Sequence, residues 1–107
     1  MQVPYEYIEK QVVTSGDSSH VFNFVSNYDC TGDTLNIDVF KKGINKIKTV
    51  ASGISGDKRY TPIVVTGNFS GINKGSDFIL KVISSTTDSD GNITGKKTVA
   101  KGSLIIK

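Results

Sequence analysis

Apolar and polar side chains alternate along most of this chain, the period of a strand with one face in a core and one in water. The clearest run is Thr34 to Lys41. Leu35, Ile37 and Val39 point one way and Asn36 and Asp38 the other, which predicts a half-buried antiparallel strand. Lys42-Gly43-Ile44-Asn45 reads as a hairpin turn, and Lys46 to Ser52 returns with Ile47, Thr49 and Ala51 on one face. Gly53 to Arg59 reads as a loop. His20 to Ser26 reads as a strand, with Phe22 and Phe24 on one face and Val21 and Val25 on the other. Tyr60 to Phe69 carries Ile63 and Val65 in alternation, and Pro62 near its start suggests an edge, because proline cannot donate to a ladder. Phe78, Leu80 and Val82 alternate with Ile79, Lys81 and Ile83. Asp88-Ser89-Asp90-Gly91-Asn92 is a turn, since Asp-Gly supplies the positive φ that hairpins require. The last strand is expected from Thr98 to Lys107.

The first thirteen residues stand apart. Tyr5 and Tyr7 fall on one face of an extended segment, Pro4 lacks a donor, and Ile8, Val12 and Val13 add apolar surface. Thr14-Ser15-Gly16-Asp17-Ser18-Ser19 cuts this segment off from the body. Residues 1–13 are therefore an N-terminal arm or edge strand, and residues 20–107 a single β domain. The arm either forms the first strand of the same domain or docks on a neighbouring subunit by strand addition. Either way Tyr5, Tyr7, Ile8, Val12 and Val13 are the candidate partner-binding residues. An arm that serves only a partner leaves a folded body when deleted. The body's core is expected to rest on Phe22, Phe24, Leu35, Ile37, Val39, Ile63, Val65, Phe78, Leu80, Val82, Leu104 and Ile106.

Composition supports the strands. Val, Ile and Thr number 11, 12 and 10, against 3 Leu and 2 Ala, which argues against a helical bundle. At 107 residues and 36% apolar, with no Trp, the chain is one domain with a thin core of Ile, Val and Phe. About seven strands separated by turn signals fit an all-β antiparallel sandwich.

Charge and candidate chemistry narrow the function classes. The net charge is +3, but 12 of the 13 cations are Lys. Nucleic-acid readers favour the Arg fork, so this excess mostly means solubility. Lys41, Lys42, Lys46 and Lys48 crowd one hairpin, where only Phe40 interleaves, so base stacking has little to work with. Nucleic acid is not an expected partner. Cys30 is the single cysteine and reads as a semi-buried or exposed free thiol. His20 is the single histidine, and metal sites need three or four ligands. The turn at Asp88–Asn92 has the look of a calcium-loop fragment, but no Glu follows Glu9, so it reads as a hairpin turn. Asn68-Phe69-Ser70 and Asn92-Ile93-Thr94 match the glycosylation triplet and read as surface polar residues. No cofactor, metal or catalytic set is expected, and no membrane partner. The first residues lack the basic-then-apolar order of a signal peptide, so an unexported product is expected.

The C-terminal half carries a resemblance. Ile72-Asn73-Lys74-Gly75-Ser76-Asp77-Phe78-Ile79-Leu80-Lys81-Val82 is similar to the hydrophobic-x-x-Gly-x-x-aromatic-x-Leu-x-Val run of immunoglobulin-like (Ig-like) domains. Asp88 to Asn92, followed by Val99-Ala100-Lys101-Gly102-Ser103-Leu104-Ile105-Ile106, resembles the closing hairpin of small Ig-like domains in tailed-phage virions. Phe78 stands where that family usually has Tyr, and the inter-sheet disulfide and core Trp of antibody domains are missing. The resemblance implies an Ig-like sandwich with a non-enzymatic structural role in a virion assembled in the host cytoplasm. Its partner would be a major capsid or other virion protein, or copies of itself. The role would be that of an auxiliary (decoration) capsid protein on the head lattice or a seat for a head fibre. A tail or baseplate adaptor, or a glycan-binding module using Tyr28 and Tyr60, are the alternatives.

Overall fold

The computed structural model describes residues 8–42 and 44–107. Every regular element among them is a strand: β1 (Gln11–Val13), β2 (His20–Phe24), β3 (Thr34–Lys41), β4 (Asn45–Ser55), β5 (Ile63–Gly67), β6 (Gly75–Thr87) and β7 (Ile93–Ile106). They form a five-stranded sheet in the order β1-β7-β6-β3-β4 and a two-stranded sheet, β2-β5. All pairs are antiparallel except β1 with β7, which run parallel with Gln11 opposite Leu104 and Val13 opposite Ile106.

The alternation read from sequence sets which face goes inside. Leu35, Ile37 and Val39 on β3, Leu80 and Val82 on β6, and Leu104 on β7 are fully buried. Phe22, Phe24 and Val65 meet them from the smaller sheet in one continuous cluster. Full burial of such a side chain is worth about 1.5–3 kcal/mol, so these residues form the energetic centre of the domain. Ile63 is only partly buried and packs at the rim of the cluster.

Several boundaries differ from the pattern, each for a local reason. β4 continues through Gly53 to Ser55, where a loop was expected, and its buried residue is Val50, not a member of the Ile47-Thr49-Ala51 set. Three register shifts against β3 break the two-residue period, so simple alternation misplaces the face. These bulges lie on an edge strand, where they also discourage pairing with other chains. β7 begins at Ile93, earlier than Thr98, because its ladder with β6 closes up to the turn, with Thr87 opposite Ile93. β5 is shorter than Tyr60–Phe69. Tyr60 takes a positive φ of 61°, and the chain leaves the pairing after Gly67.

The described part of the N-terminal arm packs on its own domain. Val13 is 1% exposed and Ile8 3%. The Ile8 N–H donates to Lys101 O at 3.2 Å, extending the β1–β7 register by three residues toward the N-terminus. Gly102 makes this approach possible, since a Cβ there would lie 2.8 Å from Ile8 Cβ and against the Ile8 carbonyl. The Lys107 N–H donates to Val13 O at 3.0 Å and the Ser15 N–H to Lys107 O at 2.9 Å, tying the arm to the end of the chain.

Deleting residues 1–13 is therefore expected to remove two core side chains and lower stability by more than about 3 kcal/mol. Urea unfolding followed by circular dichroism measures this, and an unchanged midpoint would contradict the packing of Ile8 and Val13.

Candidate functional site

The residues singled out in the sequence fall into three different environments. Ile8 and Val13 are spent on the chain's own core, so neither is open to a separate partner in this fold. Val12, between Gln11 and Val13, faces out and is 45% exposed. Tyr5 and Tyr7 lie outside the described residues.

The lysine hairpin is not a uniform basic ribbon. Lys48 turns toward the chain after β5, where its Nζ donates to Ser70 O at 2.7 Å. Lys46 Nζ lies 3.6 Å from Asp38 Oδ2, and Thr49 Oγ1 donates to Asp38 Oδ1 at 2.7 Å. Two of the hairpin's cations thus have partners within the domain.

The loops at the end of the sheets where β3 begins pack closely together. Cys30 N–H donates to Asp57 O at 2.9 Å, Gly56 N–H to Asp33 O at 3.0 Å, and Tyr60 N–H to Ser26 O at 2.8 Å. Ser84 Oγ donates to Asp33 Oδ2 at 2.9 Å. Lys97 Nζ sits 4.1 Å from the centre of the Tyr28 ring, so one face of that ring is already covered. Tyr60 remains 48% exposed. A hollow of about 200 Å³ beside these loops is lined by Ser84, Thr86, Gly95, Lys96 and Lys97. A second, of about 320 Å³, lies between Glu9, Asn23, Phe24, Val25 and Pro62.

Cys30 is fully buried in this end, not semi-buried or exposed. Burial pushes its thiol pKa up, partly offset by hydrogen bonds from Ser26 and Ser84. The strand pattern could not reveal this, because Cys30 lies in a loop. His20 packs against Phe22 and Phe69, at 5.9 and 5.6 Å between ring centres, and its Nε2 lies 2.8 Å from Gln11 Oε1. Among the described residues no group of three or more His, Cys, Asp or Glu is placed to hold a metal ion. The Asp88 carboxylate accepts from the Asp90 and Asn92 N–H groups at 2.9 Å each, which builds the hairpin turn. Asp29 is exposed, and its carboxyl is held below the usual range, first by hydrogen bonds from Thr31 and then by the nearby Lys58 and Arg59. No helix among the described residues is long and apolar enough to cross a membrane.

A surface that the sequence pattern did not single out is the outer face of the five-stranded sheet. On β3, β6 and β7 the residues between the buried ones point away from the core. They include Phe40, Ile79, Ile83 and Ile105, all of intermediate exposure. Register brings them together: Phe40 stands opposite Ile79, and Ile105 opposite the outward Val12. Lys81 Nζ lies 4.4 Å over the Phe40 ring. An antiparallel sheet facing only water would alternate core residues with polar ones. This one sets Phe40, Ile79, Ile83 and Ile105 outward among polar neighbours that include Asn36, Asp38, Lys81, Lys101 and Ser103. The signal was present in the sequence, since Ile79 and Ile83 alternate with Phe78, Leu80 and Val82, but it names a face only once the register is known.

No protein-family model matches the chain, and no curated protein or solved structure matches it either.

The Cys30 environment predicts a pH effect. A thiol whose pKa is raised by folding stays protonated after the unfolded thiol has begun to ionise. The unfolded state then binds fewer protons, so stability falls as pH rises above about 8.5. In Cys30→Ala this part of the alkaline slope should vanish, read from urea midpoints between neutral and alkaline pH. An unchanged slope would contradict the burial of the thiol.

Proposed function

We propose that this chain is a non-enzymatic virion structural protein built on an Ig-like β-sandwich. The proposed role is an auxiliary protein on the head lattice of a tailed phage, or the seat of a head fibre. The observation that carries the reading is the strand order. The run β7-β6-β3-β4 facing the pair β2-β5 supports it, since Ig-like domains set G, F, C and C′ in one sheet and B and E in the other, and β1 adds a parallel edge strand beside β7. Strand order speaks to fold, and many functions share one fold. The step to a virion comes from the Gly75–Val82 run and the Asp88–Ile106 hairpin, which resemble those of small Ig-like domains in phage particles.

The surface chemistry fits a protein partner. Apolar side chains stand outward on the larger sheet, Val21 and Val64 stand outward on the smaller one, and lysines are scattered between them. Contacts with a shell protein or with further copies use such patches, with an apolar centre supplying affinity and a charged rim supplying register.

Quantitative mass spectrometry of purified particles from the source of this reading frame tests the proposal. The chain is expected in the particle at a fixed ratio to the major shell protein, one that matches the head lattice. Its absence from particles, with normal amounts in the lysate, would overturn the virion reading. A ratio of a few copies per particle would overturn the head-lattice role in favour of the tail.

A further inference from the structure

We propose that the free edge of β2 is a strand-addition site, and that its occupant is Tyr5–Tyr7 of the same chain, a stretch outside the described residues. The geometry that carries this is local to the domain and does not use the virion reading.

The backbone of β2 comes first. Among the described strands β2 pairs with β5 alone, with His20 opposite Gly67 and Phe24 opposite Ile63. Two bonds just past β5 fix which groups face which way. The Phe69 N–H donates to Asp17 O, on the β2 side, at 2.9 Å, and the Asn68 N–H to Val50 O, on the β4 side, at 2.9 Å. Alternation then turns Ile63, Val65 and Gly67 toward β2, and their partners Phe24, Phe22 and His20 toward β5. The Ser26 carbonyl keeps the same phase, since it accepts from the Tyr60 N–H at 2.8 Å. The N–H and C=O groups of Val21, Asn23 and Val25 therefore face away from β5. Such an edge is a template for an extended segment. Val25, just past β2, already makes a strand-type backbone bridge that belongs to none of the ladders between the described strands.

The start of the chain is placed to fill this edge. Gln11 Oε1 lies 2.8 Å from His20 Nε2 at the beginning of β2. Glu9 shares the hollow of about 320 Å³ with Asn23, Phe24 and Val25 at its end. From Glu9 to Gln11 the chain thus runs antiparallel to β2. Ile8 is pinned by its N–H on Lys101 O, so Tyr7 starts beside Glu9 at that hollow. At about 3.3 Å per residue, two or three residues carry the chain along the Asn23–Val25 edge, with no linker to cross. Pro4 has no N–H to give, which ends a ladder there and leaves Tyr5–Tyr7 as the paired stretch. Tyr5 and Tyr7 fall on one face of an extended segment. The hollow offers Val25 and Pro62 to the body of a ring, and Glu9 and Asn23 to its hydroxyl. An edge filled by the chain's own residues is also closed to strands of other chains.

Nuclear magnetic resonance of the full chain tests this. The Val25 amide should exchange at least about a hundredfold more slowly than an unpaired amide. Overhauser contacts should join the Tyr5 or Tyr7 ring to Val25 and Pro62. In a mixture of isotope-labelled and unlabelled chains these contacts should stay within one chain. In a chain shortened by residues 1–7, which keeps Ile8 and Val13, protection at Val25 should fall at least about tenfold while Phe22 and Phe24 keep theirs. The full-chain contacts decide the matter where the shortened chain does not fold. Val25 exchanging at the unpaired rate would overturn the proposal. So would protection that survives the shortening, tyrosine rings with no contact to Val25 or Pro62, or contacts made only between chains.

Discussion

The structure depends on how a two-stranded sheet closes the inner face of a five-stranded one. β2 and β5 are too narrow to cover five strands, yet Leu35, Ile37, Val39, Leu80, Val82 and Leu104 must all leave water. Side chains from irregular segments complete the cover. Ile8 comes from before β1, Cys30 from between β2 and β3, and Phe69 and Ile72 from between β5 and β6. Each segment is pinned by backbone bonds. Ile8 donates to Lys101 O, Cys30 to Asp57 O and Phe69 to Asp17 O. Glycine makes room where backbones crowd. A Cβ at Gly56 would press on the Cys30 backbone, as one at Gly102 would press on Ile8. The cover is therefore part strand and part loop, and the loop part is held by hydrogen bonds as much as by packing.

This division explains what the amino-acid pattern could and could not reveal. β3 was legible from end to end, because both of its neighbours in the sheet are strands and its residues alternate without interruption until its last turn. Phe22, Phe24, Val65, Phe78, Leu80, Val82, Leu104 and Ile106 were legible for the same reason. Cys30 and Ile72 were not, since a lone apolar residue in a polar loop has no period to announce its direction, and Phe69 stood at the end of an expected strand that stops at Gly67. Val50 was hidden differently. It sits in a strand, but the β4 bulges move it off the expected face. The arm illustrates both cases. Its apolar content was plain, and only the pairing with β7 settled that Ile8 and Val13 point into the domain while Val12 points out.

The same architecture sets out the surfaces left for contact. The inner face is closed within one chain, so recognition falls to the outer faces, the sheet edges and the loop ends. β4 is blunted by its bulges, and β1 is three residues long, so among the described residues neither edge of the larger sheet offers a long flat ladder. The outer face of the larger sheet is what remains broad. Its Ile79, Ile83 and Ile105 are β-branched and only half covered by neighbours, and Lys81 and Phe40 shield each other. In the described residues every buried side-chain nitrogen and oxygen has a hydrogen-bond partner within the domain.

Native-state hydrogen exchange tests the central claim most directly. If the irregular segments are structural cover for the larger sheet, the amides of Ile8, Cys30 and Phe69 open only with the whole domain. They should then exchange with the same free energy as Leu80 and Val82 at the centre of β6. Fast exchange at those three amides, with β6 still protected, would show that the core closes without them and would contradict the account.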